Sequence, residues 1–259
     1  DLVTERSVEF VEENAGEPFF LYTAYNAPHY PMHAPAEYFD RFPDLPPERR
    51  TQAAMVAGID DGVGEILDAL EREGVREETV VVFTADHGPS REVRNHLDGS
   101  MEPYRGGSTG GFRGHKFSLF EGGHRVPGIV SYPAELAPGE SDELAMNSDV
   151  LPTVCEFCDV PAPDGLDGEE LGDLLAGGES PHDEVYWEQG DQLAVRRGEW
   201  KLVLNGAGPE VDPPDPADDV HLSNLADDPA ERENRAGDRP ELAADLEGAV
   251  RDWQADCRG

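Results

Sequence analysis

Lysine is almost missing from this chain. Two lysines, Lys116 and Lys201, stand in 259 residues where Asp and Glu number 56 against 20 Lys and Arg. With a formal net charge of −36, no surface here could neutralise a run of phosphates, so nucleic acid is excluded as a partner. The acidic residues are spread along the chain rather than gathered in a tail. They read as the solvated surface of a protein kept hydrated in high salt, not as a strip for a basic partner. Cysteine is scarce too, and Cys155, Cys158 and Cys257 make no disulfide framework. The CxxC formed by Cys155 and Cys158 has no second pair nearby and reads as part of a half-buried helix rather than a metal site. No apolar run approaches the roughly 18 residues of a membrane span. An initiator Met is also absent, and the chain opens directly in a helical pattern. The expectation is the latter part of something longer, with an export signal, if the whole has one, upstream and location left open.

What is present is ordered. Leu2, Val3, Val8, Phe10 and Val11 form a helical stripe ending near Gly16. "PFFLYTAYN" reads as a buried strand and "APHYPMHAP" as a loop. From "PPERR" to Gly74, apolar residues recur every three or four positions, so a long amphipathic helix is expected. Its glycines 58, 62 and 64 suggest close packing against a neighbour. "ETVVVFTADHG" reads as a second buried strand, making a βαβ unit with parallel strands. Residues 89–111 read as a long loop, "RVPGIVSYP" as a third strand and "NSDVLPTVCEFCDVP" as a capped helix. After about residue 184 the texture changes to "VYWEQ", "QLAVRRGEWKLVLN" and "VHLSNL", short strands between turns. An acidic, proline-rich hairpin insert, "GPEVDPPDPADD", and a closing helix from Pro240 follow. No internal repeat is found. The expected division is residues 1–183 as an α/β portion and 184–259 as an antiparallel α+β subdomain.

In an open parallel sheet, ligands collect beyond the carboxyl ends of the strands. His29 follows the first expected strand, and Asp86 with His87 follows the second. A carboxylate oxygen beside an imidazole nitrogen is a common pair of metal donors; equally, Asp86 could cap a turn while His87 hydrogen-bonds. "FRGHKFSLFEGGHRVP", residues 112–127, carries Arg113, His115, Lys116, His124 and Arg125 among glycines. Cations on a backbone able to approach closely suggest an anion site; a basic surface turn is the plainer reading.

Taken together, "PFFLYTAYNAPHYP", "TADHG", "FRGHKFSLFEGGHRVP", "SDVLPTV" and "HLSNLADDPAERENRA" resemble, in order and spacing, the type I sulfatases of the alkaline phosphatase superfamily. The resemblance implies a mainly parallel sheet flanked by helices, incomplete at its N-terminus. It also implies a sulfate ester as substrate and a divalent cation, usually calcium. Under it Asp86 looks like a metal ligand, and His87 sits where the family more often has Asn; a nitrogen donor leaves the metal's identity open. His29 matches the histidine that contacts sulfate and protonates the departing alcohol. Lys116 matches the lysine that grips a sulfate oxygen, which explains why this lysine persists where others do not. Arg113 and His115 are expected at the substrate, with His33, His96 and Arg105 as further candidates for its alcohol portion. Glu121, Gly122, Gly123 and Arg125 are expected to hold the loop, and His124 departs from the apolar residue common there.

The family's nucleophile is a formylglycine made within C-x-P-S-R. None of the three cysteines stands in that motif, and the two further carboxylates of the metal site have no counterpart. The expectation is a chain that cannot turn over a sulfate ester alone. Two alternatives stay open: a phosphate or phosphonate ester hydrolase of the same superfamily, and a noncatalytic acidic protein that keeps the fold for binding.

Overall fold

In the computed structural model, the structure describes residues 2–92, 104–206 and 219–259. Two compact units are present, Asp1–Val81 with Glu92–Gly107 and Val130–Ala137, and Val82–Arg91 with Ser108–Ile129 and Pro138–Gly259. Residues 208–218 of the expected insert 208–219 and residues 93–103 of the loop 89–111, His96 included, lie outside the described residues.

The first unit is built on helices α1 (Leu2–Asn14), α2 (Ala36–Phe39) and α3 (Pro47–Arg72). Proline at the first turn of α3 loses no needed hydrogen bond there, and Arg72 in its last turn complements the helix dipole. Ala54, Met55, Ala57, Ala69 and Leu70 give it one buried face, and Val11 of α1 packs with Ala69 and Leu70. The close approach expected of the glycines is met at Gly62. A Cβ there would lie 2.4 Å from the Thr4 hydroxyl and 2.7 Å from that of Tyr25. At Gly64 nothing lies within 4 Å, so that glycine has no such reason.

The strand expected over "PFFLYTAYN" is a correction. Those residues form no strand. Phe19 and Leu21 pack beside Val11 and Leu70, and Thr23 and Tyr25 reach Ser7 and Thr4 through their hydroxyls at 3.1 and 2.9 Å. Phe20 and Tyr22 are 75% and 80% exposed. One face is therefore covered as a strand's would be, yet among the described residues no backbone ladder forms beside it. The βαβ unit expected from this segment is accordingly not formed as such. Val81–Thr84 (β1) and Gly128–Ser131 (β2) pair in a two-stranded sheet. They are less buried than expected, with Ile129 58% exposed.

The second unit carries a four-stranded antiparallel sheet in the order β3 (Glu184–Gln189), β4 (Gln192–Arg197), β5 (Trp200–Leu204), β6 (Val220–Asn224), as the sequence led us to expect. Side chains alternate across a strand, and here both faces are covered. Leu193, Val195, Leu202, Leu204 and Leu222 meet Ala243, Leu246 and Val250 of α7 (Pro240–Arg258). On the opposite face, Ala194 and Val203 meet Leu119 and Phe120 of the glycine-rich loop. Burying each such apolar side chain contributes about 1.5–3 kcal/mol, which makes this sheet the firmest part of the unit. Helices α4 (Glu121–His124), α5 (Val150–Phe157) and α6 (Gly172–Leu175) complete it. Cys155 is half-buried on α5, Cys158 is exposed just beyond it, and both are free thiols.

Candidate active site

The loop 112–125 folds back on itself through backbone bonds. The Ser118 N–H donates to the His115 carbonyl at 2.8 Å, and Gly122 N–H to the Arg113 carbonyl at 2.6 Å. Phe117, next to Lys116, has φ 74°, a left-handed conformation that costs a residue with Cβ about 1–2 kcal/mol. The sheet offsets that cost. Gln192 of β4, 3% exposed, donates its amide to the Phe117 carbonyl at 2.8 Å and accepts from the Leu119 N–H at 3.3 Å.

Two motifs far apart in sequence meet here. The Gly88 N–H donates to the Gly123 carbonyl and the Lys116 N–H to the Pro89 carbonyl, each at 2.9 Å. A Cβ at Gly88 would lie 2.0 Å from the Gly122 carbonyl oxygen, so glycine is obligatory at that contact. The Asp86–His87 turn and the Lys116 loop are thereby stitched together within one unit. Asn147 steadies the turn from the other side, donating to the Ala85 carbonyl at 2.9 Å and accepting from Thr84 Oγ1 at 3.0 Å. Behind it Asp149, fully buried, takes the N–H groups of Met146 and Glu169 and His182 Nε2.

The Asp86 carboxylate is 84% exposed, and its Oδ1 caps the His87 N–H at 3.0 Å. His87 Nδ1 lies 2.8 Å from the Gly88 carbonyl and therefore carries its proton there. Its Nε2 faces Asp86 Oδ2 at 3.2 Å. An imidazole whose second nitrogen is tied to a backbone carbonyl is oriented as metal-ligating histidines are. Two acceptors facing each other at this distance call for a cation or a proton between them. The pair thus fits one edge of a divalent-cation site. Among the described residues there is no cluster of three or more His, Cys, Asp or Glu able to hold a metal.

Other expected residues are placed less simply. The Lys116 ammonium lies 5.0 Å from the Phe117 ring. The Arg113 guanidinium covers the Phe120 ring at 3.9 Å and donates to His221 Nδ1 at 3.1 Å. His115 is 3% exposed, and its Nδ1 meets the Lys116 carbonyl at 2.9 Å. Arg113 and His115 thus make contacts that shape the loop. His29, His33 and Arg105 belong to the first unit and are exposed there. His29 Nδ1 lies 2.8 Å from the Tyr30 carbonyl, between the cis peptides Ala27–Pro28 and Tyr30–Pro31. The Arg105 N–H donates to Glu48.

The sequence reading missed Lys201. It is fully buried on β5, with Nζ 2.8 Å from Glu121 Oε1, 3.1 Å from Glu231 Oε1 and 2.9 Å from His124 Nε2. The Glu121 N–H donates to Glu231 Oε2 at 2.5 Å. Burial pushes the Glu121 carboxyl up, but the basic groups around it, Lys201 first, together outweigh that and hold it at about 2. Burial, helped by the same ammonium, drops His124 to about 3, so its ring is neutral. Glu231 is raised, burial outweighing Lys201. The signal was available: strand alternation puts Lys201 between Trp200 and Leu202 on a buried strand, in a chain that uses lysine twice.

The sulfatase family model matches residues 1–160, and the model of the N-sulphoglucosamine sulphohydrolase C-terminal region matches residues 110–252. An arylsulfatase of Hemicentrotus pulcherrimus is 34% identical over 77% of this chain and 34% of its own length. An N-acetylgalactosamine-6-O-sulfatase of Bacteroides thetaiotaomicron is 28% identical over 95% of this chain and 49% of its own. The crystal structure of Ps i-CgsB superposes with a TM-score of 0.82 at 26% identity, covering 98% of this chain and 54% of that one. The chain thus spans between about a third and about half of the length of these three proteins.

Proposed function

The chain belongs to the sulfatase family, with its alkaline-phosphatase-like α/β fold, and on that premise we propose that it is the second portion of a sulfuric ester hydrolase. The observation that carries the reading is the pair of backbone bonds, Gly88 N–H to Gly123 and Lys116 N–H to Pro89, that brings the turn of an Asp–His donor pair and the loop of a lysine side by side. Hydrolysis of a sulfate ester breaks the S–O bond to the alcohol, and negative charge grows on that bridging oxygen. His29 is assigned the proton that quenches it. Lys116 is assigned a nonbridging oxygen, where a fixed ammonium stabilises the charge. Asp86 and His87 would hold a divalent cation, most simply Ca2+, which supplies Lewis-acid polarisation of the sulfate oxygens when bound.

No cysteine here stands in C-x-P-S-R, so this chain alone is expected not to turn over. Among the neighbours, Ps i-CgsB is seen in complex with k-i-k-neocarrahexaose, and one relative is named for a sulfated amino sugar. That company favours a sulfated carbohydrate as substrate. The nitrogen of His87 beside Asp86 supports a second reading, a phosphate or phosphonate ester hydrolase of the same superfamily. A protein joining this chain to a C-x-P-S-R segment, assayed on 4-nitrophenyl sulfate and 4-nitrophenyl phosphate with metal counted by elemental analysis, separates the two. Sulfate turnover with one divalent ion is expected. Dominant phosphate turnover with two zinc ions would overturn the proposal.

A further inference from the structure

Glu121 is the point through which the second unit's sheet reaches the candidate site. Its carboxylate is taken by Lys201 at 2.8 Å, and its N–H by Glu231. The next residue, Gly122, donates to the Arg113 carbonyl at 2.6 Å, three residues before Lys116. The one after, Gly123, accepts from Gly88 at 2.9 Å, one residue beyond His87. These backbones touch without slack: a Cβ on Gly122 would lie 2.5 Å from the Arg113 carbonyl oxygen, and one on Gly88 2.0 Å from that of Gly122. Close-packed contacts transmit displacement instead of absorbing it. The Lys201 backbone is held in the middle of the sheet, paired with Arg196 on one side and Ser223 on the other.

We propose that Lys201 is a positioning residue: through Glu121 it sets the placement of Lys116 against the Asp86–His87 turn. The proposal rests on the reading that Lys116 meets the sulfate. Stability alone does not account for the cluster, because well-packed apolar side chains commonly replace a buried ion group without loss. What an apolar replacement cannot do is hold Glu121 at one point in space by charge-assisted bonds from a fixed donor.

Because the chain has two lysines, protein made with 13C-lysine gives two side-chain ε signals. Lys201→Met deletes one and so assigns the other to Lys116. Inorganic sulfate is titrated into the wild-type chain and the variant while thermal unfolding is followed separately. In the wild type the Lys116 signal shifts saturably. In folded Lys201→Met the apparent sulfate affinity is expected to fall about tenfold or more, the usual cost of losing a residue that orients a ligand-binding group. Should Lys201→Met fail to fold, Lys201→Met/Glu121→Gln removes the stranded charge and is titrated in the same way. Unchanged affinity in either folded variant overturns the role of Lys201 alone. Failure of both to fold assigns the cluster to the core as a whole and overturns it too. No Lys116 response in the wild type overturns the assignment of Lys116 itself, and with it this one.

Discussion

On β5, Lys201 lies fully buried against two carboxylates and an imidazole, whereas Lys116 stands half-buried on a glycine-rich loop beside a turn whose carboxylate is 84% exposed. The same side chain answers to different physics in the two places. In the interior a charge must be matched where it stands, so the surrounding groups have little freedom and their protonation is displaced from ordinary values. At the open turn the groups are left accessible to whatever binds. The sheet supplies rigidity, and the loop is where the proposal places the chemistry. If that division is right, substitutions on the loop should damage function and leave stability, whereas those in the interior should cost stability first and reach function only through Glu121.

The largest expected effect is in the interior. Lys201→Ala removes one partner of a buried ion cluster and leaves Glu121 and Glu231 uncompensated, which costs about 3–5 kcal/mol. Urea unfolding followed by tryptophan fluorescence measures it, since Trp187 lies beside His124 with ring centroids 4.7 Å apart. A loss below about 1 kcal/mol, the scale of a surface ion pair, would erase the contrast between the two lysines.

Lys116→Ala should do the reverse. In a protein that joins this chain to a C-x-P-S-R segment, turnover of an aryl sulfate is expected to fall about 10²–10³-fold, the usual cost of losing one charge-stabilising donor. The melting temperature should stay within a few degrees of the parent's. A near-normal rate would show that the loop presents its cation for some other purpose. His29→Ala sharpens the picture of the first unit: the loss should be greater for alkyl sulfates than for activated aryl sulfates, whose alcohols leave without a proton. Equal losses on both would remove the acid role from His29.

The two regions also differ in how far the sequence revealed them. Periodicity located α1 and α3, because in each the apolar residues fall on one repeating face that the fold covers, while the antiparallel strands and α7 showed as short apolar runs between turn residues and a proline-started closing segment. "PFFLYTAYN" has the composition of a strand, but a strand also needs a ladder partner, and composition says nothing about who supplies one. Asp86, His87 and Lys116 stood out because unusual residues sit among glycines at turns, where local constraints print themselves on the sequence, and the fold brings those two turns together. Lys201 was passed over because its partners, Glu121, His124 and Glu231, come from three remote segments, and burial of a charge is a property of the fold. Arg113 and His115 were expected to face substrate on charge alone. Their contacts with Phe120, His221 and the Lys116 carbonyl depend on packing no local pattern encodes.

Acid should separate the regions less sharply but in a definite direction. His124 is held at about 3, below the ordinary 6.5, so the unfolded chain binds more protons between those values and stability falls as pH drops through that window. Glu121, held at about 2 against an ordinary 4.5, adds a loss between those values. Glu231, being raised, works the other way: its contribution is recovered as pH falls through its raised value. Between pH 6.5 and 4.5 the His124 contribution lowers stability as pH falls, and Glu231 opposes it. His124→Leu is expected to flatten the dependence of the urea midpoint on pH in that interval. An unaltered slope would mean the ring is already charged in the fold.

The smallest expected effect comes from the surface. With a net charge of −36, the folded chain repels itself more than the expanded one does, and mobile ions weaken that repulsion because the screening length shrinks from about 10 Å at 0.1 M salt to about 3 Å at 1 M. Exposed pairs such as Arg72–Glu12 and Arg251–Glu247 lose attraction over the same range. Each is worth at most about 1 kcal/mol and many such pairs contribute nothing measurable, so the repulsion should decide the sign. The melting temperature is expected to rise by a few degrees between 0.1 and 1 M NaCl, in wild type and in Lys116→Ala alike. The buried cluster is out of reach of mobile ions, so the penalty of Lys201→Ala should be the same at both salt concentrations. A penalty that shrank in step with screening would show that solvent reaches Lys201, and the distinction between the two lysines would then be one of degree.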